Sequence, residues 1–199
     1  MVFRSGLSSA WKYQPFQSIV HYISLNPRPA TATLTSESSV GHVIYKTTSL
    51  SDGYIPDSQI SSSIDVMNAD YASCGISFFL AGTDRTLNST WFDQVDPNRY
   101  VNQPRGSYLF LRTAANIRLR SSYQTAMKNQ LRLGGANALN VYSVGFTSSS
   151  IPLIGGYATF PSSYASNPED DGVVILYSSV PGGTAAPYDQ GKTLTHESG

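Results

Sequence analysis

The sequence predicts an α/β fold with a largely parallel sheet, because strand-like and helix-like segments alternate along the chain. Residues 43–46, 76–81 and 138–145 are apolar or alternating runs typical of strands. A helical segment separates each of these strands from the next, and such a connection runs right-handed between parallel neighbours. The expected order is therefore strand, helix, strand, helix, strand.

The first of these helices is expected to start at Pro56 and Asp57 and to end near Ser73. Its apolar residues recur at spacings of three and four, which gives one face that packs on the sheet. They are Ile60, Ile64, Met67 and Tyr71. The second helix is expected over residues 123–133, where Gly134-Gly135 would end it.

Two further strands are expected near the C-terminus. Residues 173–177 form a short, fully apolar run that suits a strand inside the sheet, whereas residues 155–160 carry a glycine pair and flanking prolines, which favour an edge. An edge strand can pair with an extended peptide through its free backbone groups, although it can equally be a plain structural edge. The candidate substrate-binding residues are Gly155, Gly156, Tyr157, Ala158 and Thr159.

Composition and charge fit a single globular domain and exclude several partners. The 199 residues are 40% hydrophobic and 12% aromatic, which is enough for a sizeable core. Basic and acidic residues balance, so neither nucleic acid nor a membrane surface is an expected partner. No apolar stretch approaches the roughly 20 residues that cross a bilayer, and residues 1–25 lack the apolar core of a signal peptide. No feature of the sequence indicates an oligomeric state.

Three smaller features have a plain structural interpretation beside a functional one. The single Cys74 cannot form an intramolecular disulfide and is expected to be a small, partly buried residue. Residues 169–171 are consecutive acids, which are expected to be solvated rather than to bind a cation. His42 opens the first strand, where a packed or surface position is expected rather than metal ligation.

The chemically informative pair is His196-Glu197, close to Gly199. A zinc-protease helix carries the motif H-E-x-x-H, in which two imidazoles four residues apart share one helical face and bind one metal. Only the H-E-x-x part is present, and these two residues alone are a weak signal. Thr193 and Thr195 lie in the same turn and are expected to serve as capping and packing residues.

The run 127–146 resembles the secreted fungal and bacterial metalloproteases related to pappalysin, a branch of the metzincins. Further blocks agree with that family in the same order along the chain. They are residues 42–46, 54–60, 156–161, 171–176, 181–183 and 191–197. The resemblance covers roughly residues 42–98 and 122–199, and ordered blocks that end at the metal motif make it specific.

The resemblance implies the fold, the reaction and the roles of the site residues. The fold is the N-terminal subdomain of a metzincin, with a twisted, mostly parallel mixed sheet, an antiparallel edge strand, two backing helices and the first turn of the active-site helix. The reaction is hydrolysis of a peptide or protein substrate by a secreted, zinc-dependent endopeptidase. His196 is implied as a ligand of the Zn²⁺ cofactor, and Glu197 as the general base that activates the attacking water.

The family's complete motif also contains two further histidines, a glycine and a later methionine turn, and none of these follows His196-Glu197 in the 199 residues. A catalytic zinc ion needs three protein ligands, and His196 supplies one of them. By themselves the 199 residues are therefore expected to be an incomplete and inactive form of the enzyme.

Domain boundaries are predicted from the same match. Residues 1–41 have no counterpart in the family, and residues 42–199 are expected to form a partial metalloprotease catalytic domain. Within it, residues 100–118 have no counterpart either. We interpret them as a foreign insertion from a translated retained intron, and an ordinary surface loop is the alternative.

Three functions are compatible with the sequence. The first is a zinc endopeptidase of which this chain is an incomplete version. The second is a non-catalytic remnant that keeps the sheet and a peptide-binding edge, and the third is an unrelated sandwich-like binding module. Helical content separates the third from the others, because a β-sandwich has almost none.

Overall fold

A computed structural model describes residues 35–95, 122–149 and 153–199. Apart from Gly199, the described residues belong to one compact unit, Thr33–Ser198. The predicted insertion at residues 100–118 and most of the unmatched segment 1–41 lie outside the described residues. Both therefore stay predictions.

Within the part of the chain that the structure describes, five strands form one sheet. The strands are β1 (Thr35–Tyr45), β2 (Ile76–Leu87), β3 (Ala138–Val144), β4 (Gly156–Ala158) and β5 (Val173–Leu176). Their order is β2-β1-β3-β5-β4. Parallel pairing joins β2 to β1, β1 to β3 and β3 to β5, whereas β4 pairs antiparallel with β5. The predicted α/β class, with a mostly parallel sheet and an antiparallel edge strand, is confirmed.

Both β1 and β2 are longer than the sequence predicted. The prediction placed them at residues 43–46 and 76–81, where the apolar side chains are concentrated. The structure extends both strands over polar residues, because β1 and β2 pair with each other from Thr35 and Ile76 to Tyr45 and Leu87. The strand β3 pairs with the central part of β1 only. Pairing between backbone groups leaves no pattern in the side chains, so the sequence does not reveal it. The strand β1 starts at Thr35, before the predicted domain boundary at residue 42.

Four α-helices accompany the sheet in residues 35–95, 122–149 and 153–199. They are α1 (Asp57–Tyr71), α2 (Ser89–Gln94), α3 (helical residues 122–131) and α4 (Lys192–Ser198). α1 and α3 confirm the two predicted helices, but α2 was not predicted. Its cap is the Asn88 side chain, which accepts a hydrogen bond from the Trp91 N–H at 3.0 Å, and Asn88 before an apolar pair is the signal that could have revealed it. None of these helices is long and apolar enough to cross a membrane.

The sheet has a core on each face. On the face covered by α2 and α3, the buried cluster consists of Ile44, Trp91, Phe92, Val95, Met127, Tyr142, Val144, Phe146, Tyr157 and Val174. On the other face, α1 and α4 meet the strands around a cavity of about 40 Å³ lined by Val43, Ile60, Ile64, Val141, Ile175 and Leu194, among others. Side chains alternate between the two faces along each strand. A mostly parallel sheet with helices on both faces excludes the sandwich-like module.

Candidate active site

The helix α4 leaves the predicted catalytic pair accessible. Gly191 precedes the helix in the left-handed conformation, with φ of 74°. Leu194 anchors the helix in the core, where it is only 3% exposed. His196 is exposed and Glu197 is half-buried. The helix therefore buries its apolar residue and leaves its two polar site residues within reach of a ligand.

Beside Glu197 lies the edge strand β4. A Cβ atom added to Gly156 would be 3.0 Å from Glu197 Cγ and 2.9 Å from the carbonyl oxygen of Val174. A Cβ atom added to Gly155 would be 3.8 Å from Thr193 Cγ2, an ordinary contact distance. Because glycine has no side chain, the backbone at Gly156 can approach Glu197 closely. The fold thus brings the predicted general base and the predicted substrate-binding strand together.

The strand β4 pairs with β5 on one side, and no strand among the described residues pairs with its other side. The Tyr157 side chain is buried and packs on Phe146, with ring centroids 5.9 Å apart. Tyr157 can therefore contact a ligand only through its main chain. Gly155 and Thr159 lie just outside the two ends of the strand.

Thr159 is fixed by hydrogen bonds to the loop before β5. Its Oγ1 accepts from the Gly172 N–H at 3.2 Å and donates to Asp171 Oδ1 at 3.4 Å. The other carboxylate oxygen of Asp171 is 3.4 Å from an Arg132 guanidinium nitrogen. The end of β4 is therefore linked, through one carboxylate, to the residue that follows α3.

Asp170 is partly buried and contacts two buried residues, Gln124 and Lys128. Its Oδ1 accepts a 2.5 Å hydrogen bond from Gln124, and Lys128 Nζ donates to its carbonyl oxygen at 2.5 Å and lies 3.6 Å from Oδ1. Lys128 is fully buried, and this burial lowers its pKa, although the Asp170 charge partly opposes the shift. The prediction that residues 169–171 are solvated is wrong for Asp170 and Asp171. The fold brings cations from the α3 region, far away in sequence, to both carboxylates.

His42 is a packed residue, as the sequence predicted. It is 1% exposed and stacks on Tyr142, with ring centroids 4.6 Å apart. Its Nδ1 lies 2.5 Å from Asp84 Oδ2, and its Nε2 lies 3.0 Å from Asn140 Oδ1. Asn140 also accepts a hydrogen bond from the Leu133 N–H. This cluster connects β1, β2 and β3 and lies in the body of the sheet, not at the predicted site.

The first turn of α4 is tied to the end of α1. The Lys192 ammonium donates to Asp70 Oδ1 at 2.6 Å, and the Thr195 hydroxyl donates to Asp70 Oδ2 at 2.8 Å. The Tyr71 hydroxyl donates to the Thr195 carbonyl oxygen at 3.0 Å. The hydrogen bond from Lys192 lowers the pKa of Asp70, whereas burial raises the pKa of Tyr71 to about 12. The sequence prediction missed this contact, because Asp70 and Thr195 are 125 positions apart.

His196 can supply one metal ligand, but the described residues do not complete a metal centre. In residues 35–95, 122–149 and 153–199, no three side chains of His, Cys, Asp or Glu come close enough together to hold a metal ion. Cys74 is half-buried, as predicted. A catalytic zinc site needs three protein ligands, so the donor set present here fits one part of such a site.

The fold is of the metzincin type. The structure resembles a variant of Tannerella forsythia promirolysin with a TM-score of 0.58 and 25% identity, over 96% of this chain and 63% of that one. It also resembles mirolysin in complex with compound 9, with a TM-score of 0.56 and 24% identity, over 84% of this chain and 62% of that one. These likenesses confirm the predicted fold class.

In sequence, the chain is related to the fungal extracellular metalloproteases. It is 39% identical to extracellular metalloprotease 1 of Coccidioides posadasii (strain C735) over 161 residues, which are 79% of this chain and 47% of the relative. It is 32% identical to an extracellular metalloprotease of Podospora anserina over 179 residues, 88% of this chain and 51% of the relative. No protein-family model matches the chain. The predicted family resemblance is confirmed, and the chain spans about half the length of the curated relatives it matches.

Proposed function

We propose that this chain is part of a secreted, zinc-dependent endopeptidase and carries the substrate-binding edge strand and the first catalytic turn of its active site. The contact between Gly156 and Glu197 carries the proposal, because it puts a carboxylate beside a strand with an open edge. The names of the relatives support the reaction class and an extracellular location.

The proposed roles follow from these positions. A peptide that pairs with the open side of β4 passes close to Glu197, since Gly156 has no side chain to separate them. Glu197 acts as the general base, and its carboxylate accepts a proton from the attacking water. His196 is one ligand of a Zn²⁺ ion, which when bound polarises that water. The main chain of residues 155–159 holds the substrate.

The 199 residues alone are proposed not to hydrolyse peptides. His196 is one ligand where three are needed, and affinity for zinc falls by several powers of ten when two ligands are missing. The remaining ligands are proposed to lie in the part of the protein that the chain does not span, since it corresponds to about half of its relatives.

A second candidate is a non-catalytic peptide-binding protein built on the same sheet. The open side of β4 favours it as well, because pairing between a peptide and an edge strand requires no metal. The two candidates differ in whether zinc binds and whether peptide bonds are cleaved.

The deciding experiment compares the 199-residue chain with a form extended through the next in-frame coding segment. Zinc content is measured by atomic absorption, and cleavage is measured on casein and on a quenched fluorescent peptide. The endopeptidase predicts zinc and cleavage only in the extended form. An extended form that contains no zinc and does not cleave casein, but does bind extended peptides, supports the second candidate instead.

Glu197→Gln in the extended form is the matched control. The amide cannot accept the proton from water, so we expect cleavage to fall by a factor on the order of a hundred or more while the zinc content stays the same. If the variant cleaves as fast as the parent, Glu197 is not the general base.

A further inference from the structure

The last two residues of α1 hold the start of α4 at two points. Asp70 uses both carboxylate oxygens, one for the Lys192 ammonium at 2.6 Å and one for the Thr195 hydroxyl at 2.8 Å. Tyr71 adds a third hydrogen bond, of 3.0 Å, from its hydroxyl to the Thr195 carbonyl oxygen. We call this set of four residues the α1–α4 clamp.

The clamp fixes more than the distance between the two helices. Lys192 and Thr195 are three residues apart, so they lie on the same face of α4. Two fixed points on one helical face set both the rotation of the helix about its axis and its position along that axis. His196 and Glu197 directly follow Thr195. Their directions therefore depend on how Thr195 is held.

Asp70 and Tyr71 keep, over a wide pH range, the ionisation states that the hydrogen bonds of the clamp require. The hydrogen bond from Lys192 lowers the pKa of Asp70, so the carboxylate stays ionised and accepts both hydrogen bonds. Burial raises the pKa of Tyr71 to about 12, so its hydroxyl keeps the proton that it donates to Thr195.

The ion pair of the clamp adds little to overall stability. The Lys192 side chain is 63% exposed, and ion pairs at that exposure contribute little because water screens them. α4 is held in the core by Leu194, which is buried. The hydrogen bonds from α1 therefore select one orientation of a helix that is already attached to the sheet.

We propose that Asp70 and Tyr71 are positioning residues for the active-site helix, which they orient so that Glu197 lies against Gly156. Neither residue touches the proposed substrate. The inference rests on the proposed function of α4, and it concerns the turnover of the enzyme and not its affinity for substrate. A misplacement of about 1 Å at a catalytic group can lower a rate by as much as a hundredfold.

The test uses Tyr71→Phe and Thr195→Val in the extended form. We expect kcat to fall roughly tenfold to a hundredfold, while KM changes less than about twofold, because substrate binding to β4 is untouched. We expect Thr195→Ser to restore kcat, since it keeps the hydroxyl. The midpoint of urea unfolding should stay nearly unchanged in all three variants.

Matched control variants remove the same chemical groups elsewhere. Tyr177→Phe removes a hydroxyl that donates to the Ser51 carbonyl oxygen at 2.8 Å. Asp57→Asn removes the carboxylate at the other end of α1, which pairs with Arg85 at 2.6 Å. Among the described residues, the hydrogen bond of Tyr177 and the ion pair of Asp57 do not involve α4, and we expect parental kcat from both. Asp70→Asn is the variant to compare with Asp57→Asn, and it should lower kcat.

Amide hydrogen exchange separates this inference from the proposed function. In the 199-residue chain, we expect Tyr71→Phe and Thr195→Val to speed exchange in α4 about tenfold and to leave the amides of β1 and β3 unchanged. Parental exchange in α4 would overturn the positioning role even in an active enzyme, and so would faster exchange without a change in kcat. An inactive extended parent would overturn the proposed function, and this inference with it.

Discussion

The two sides of the proposed active site, the strand side formed by β4 and the helix side formed by α4, are held in place by different chemistry. The strand side is anchored through Asp170 and Asp171 to the α3 region, and the lysine involved, Lys128, is fully buried. The helix side is anchored through Asp70, and the lysine involved, Lys192, is 63% exposed. The lysine on the strand side is therefore shielded from water, whereas the lysine on the helix side is screened by water; the carboxylates on both sides are partly exposed.

This difference indicates which side contributes to the stability of the protein and which side sets the orientation of α4. Removing one partner of a buried charge pair leaves the other charge without compensation and is strongly destabilising. Removing one partner of an exposed pair costs little, because water replaces it. Substitutions on the strand side should therefore lower the free energy of unfolding, and substitutions on the helix side should change the orientation of α4 with little loss of stability.

The largest effect is expected from Asp170→Ala. Lys128 then keeps its carbonyl acceptors but loses the nearest carboxylate, 3.6 Å away. We expect the free energy of unfolding to fall by about 3 kcal/mol, measured by urea denaturation of the 199-residue chain.

The double variant Lys128→Met/Asp170→Asn is its control. It removes both charges and keeps an acceptor for Gln124. We expect it to recover most of the lost stability, because no buried charge is left unpaired. Equal destabilisation in the single and double variants would mean that the charge pair is not what holds the strand side.

Gly156→Ala tests the place where the two sides meet. The added methyl group would lie 2.9 Å from the Val174 carbonyl oxygen and 3.0 Å from Glu197 Cγ, so strand or helix has to move. We expect unfolding to become easier by about 1–3 kcal/mol. Gly155→Ala is the matched control, since its methyl group would meet its nearest neighbour, Thr193, at 3.8 Å, and it should change stability by less than about 0.5 kcal/mol. Equal losses in both variants would contradict the close approach at Gly156.

Thr159→Val breaks the link between the end of β4 and Asp171. It keeps the shape of the side chain and removes the acceptor of the Gly172 N–H. We expect a loss of about 1 kcal/mol, as for one hydrogen bond of the main chain left without its partner, and faster amide exchange in β4. Unchanged exchange in β4 would show that the pairing with β5 alone fixes the strand.

The smallest effects are expected in the pH dependence of stability. Both sides should make unfolding harder as the pH rises, but in different pH ranges. The folded-state pKa of Lys128 is lowered by burial, so unfolding should become harder as the pH rises towards the ordinary lysine value of about 10.4. The folded-state pKa of Asp70 is lowered by the hydrogen bond from Lys192, so its contribution is present above about pH 4 and is lost as the pH falls through the folded value. Urea unfolding between pH 2.5 and 10 measures both, in buffers spaced about half a pH unit apart.

Two variants show which residue causes each part of the pH dependence. Lys128→Met should remove the rise on the alkaline side, and Asp70→Asn should remove the fall on the acid side. Tyr71 acts in the opposite direction to Lys128 above about pH 10, because its pKa is raised to about 12 and its ionisation favours the unfolded chain. A parental pH profile in either variant would mean that another group causes that part of the dependence.

The sequence by itself determined the class of fold and the identity of the proposed catalytic pair. The spacing of Ile60, Ile64 and Met67 predicted α1, and the alternation of strands and helices predicted parallel pairing, because both are local periodicities. The glycine pair before Tyr157 predicted an edge strand, and the order of the matching blocks predicted the family. The pair His196-Glu197 was predicted from the sequence motif alone.

Only the tertiary structure decided how the two sides of the proposed active site are anchored. The ion pair of Lys128 with Asp170 and the clamp of Asp70 with Thr195 join residues that are far apart in sequence, and no local pattern marks either partner. The length of β1 was likewise set by its pairing with β2 and not by its own side chains. Local propensity is encoded over a few residues, whereas a buried charge or a helix orientation depends on which distant groups the fold brings within hydrogen-bonding distance.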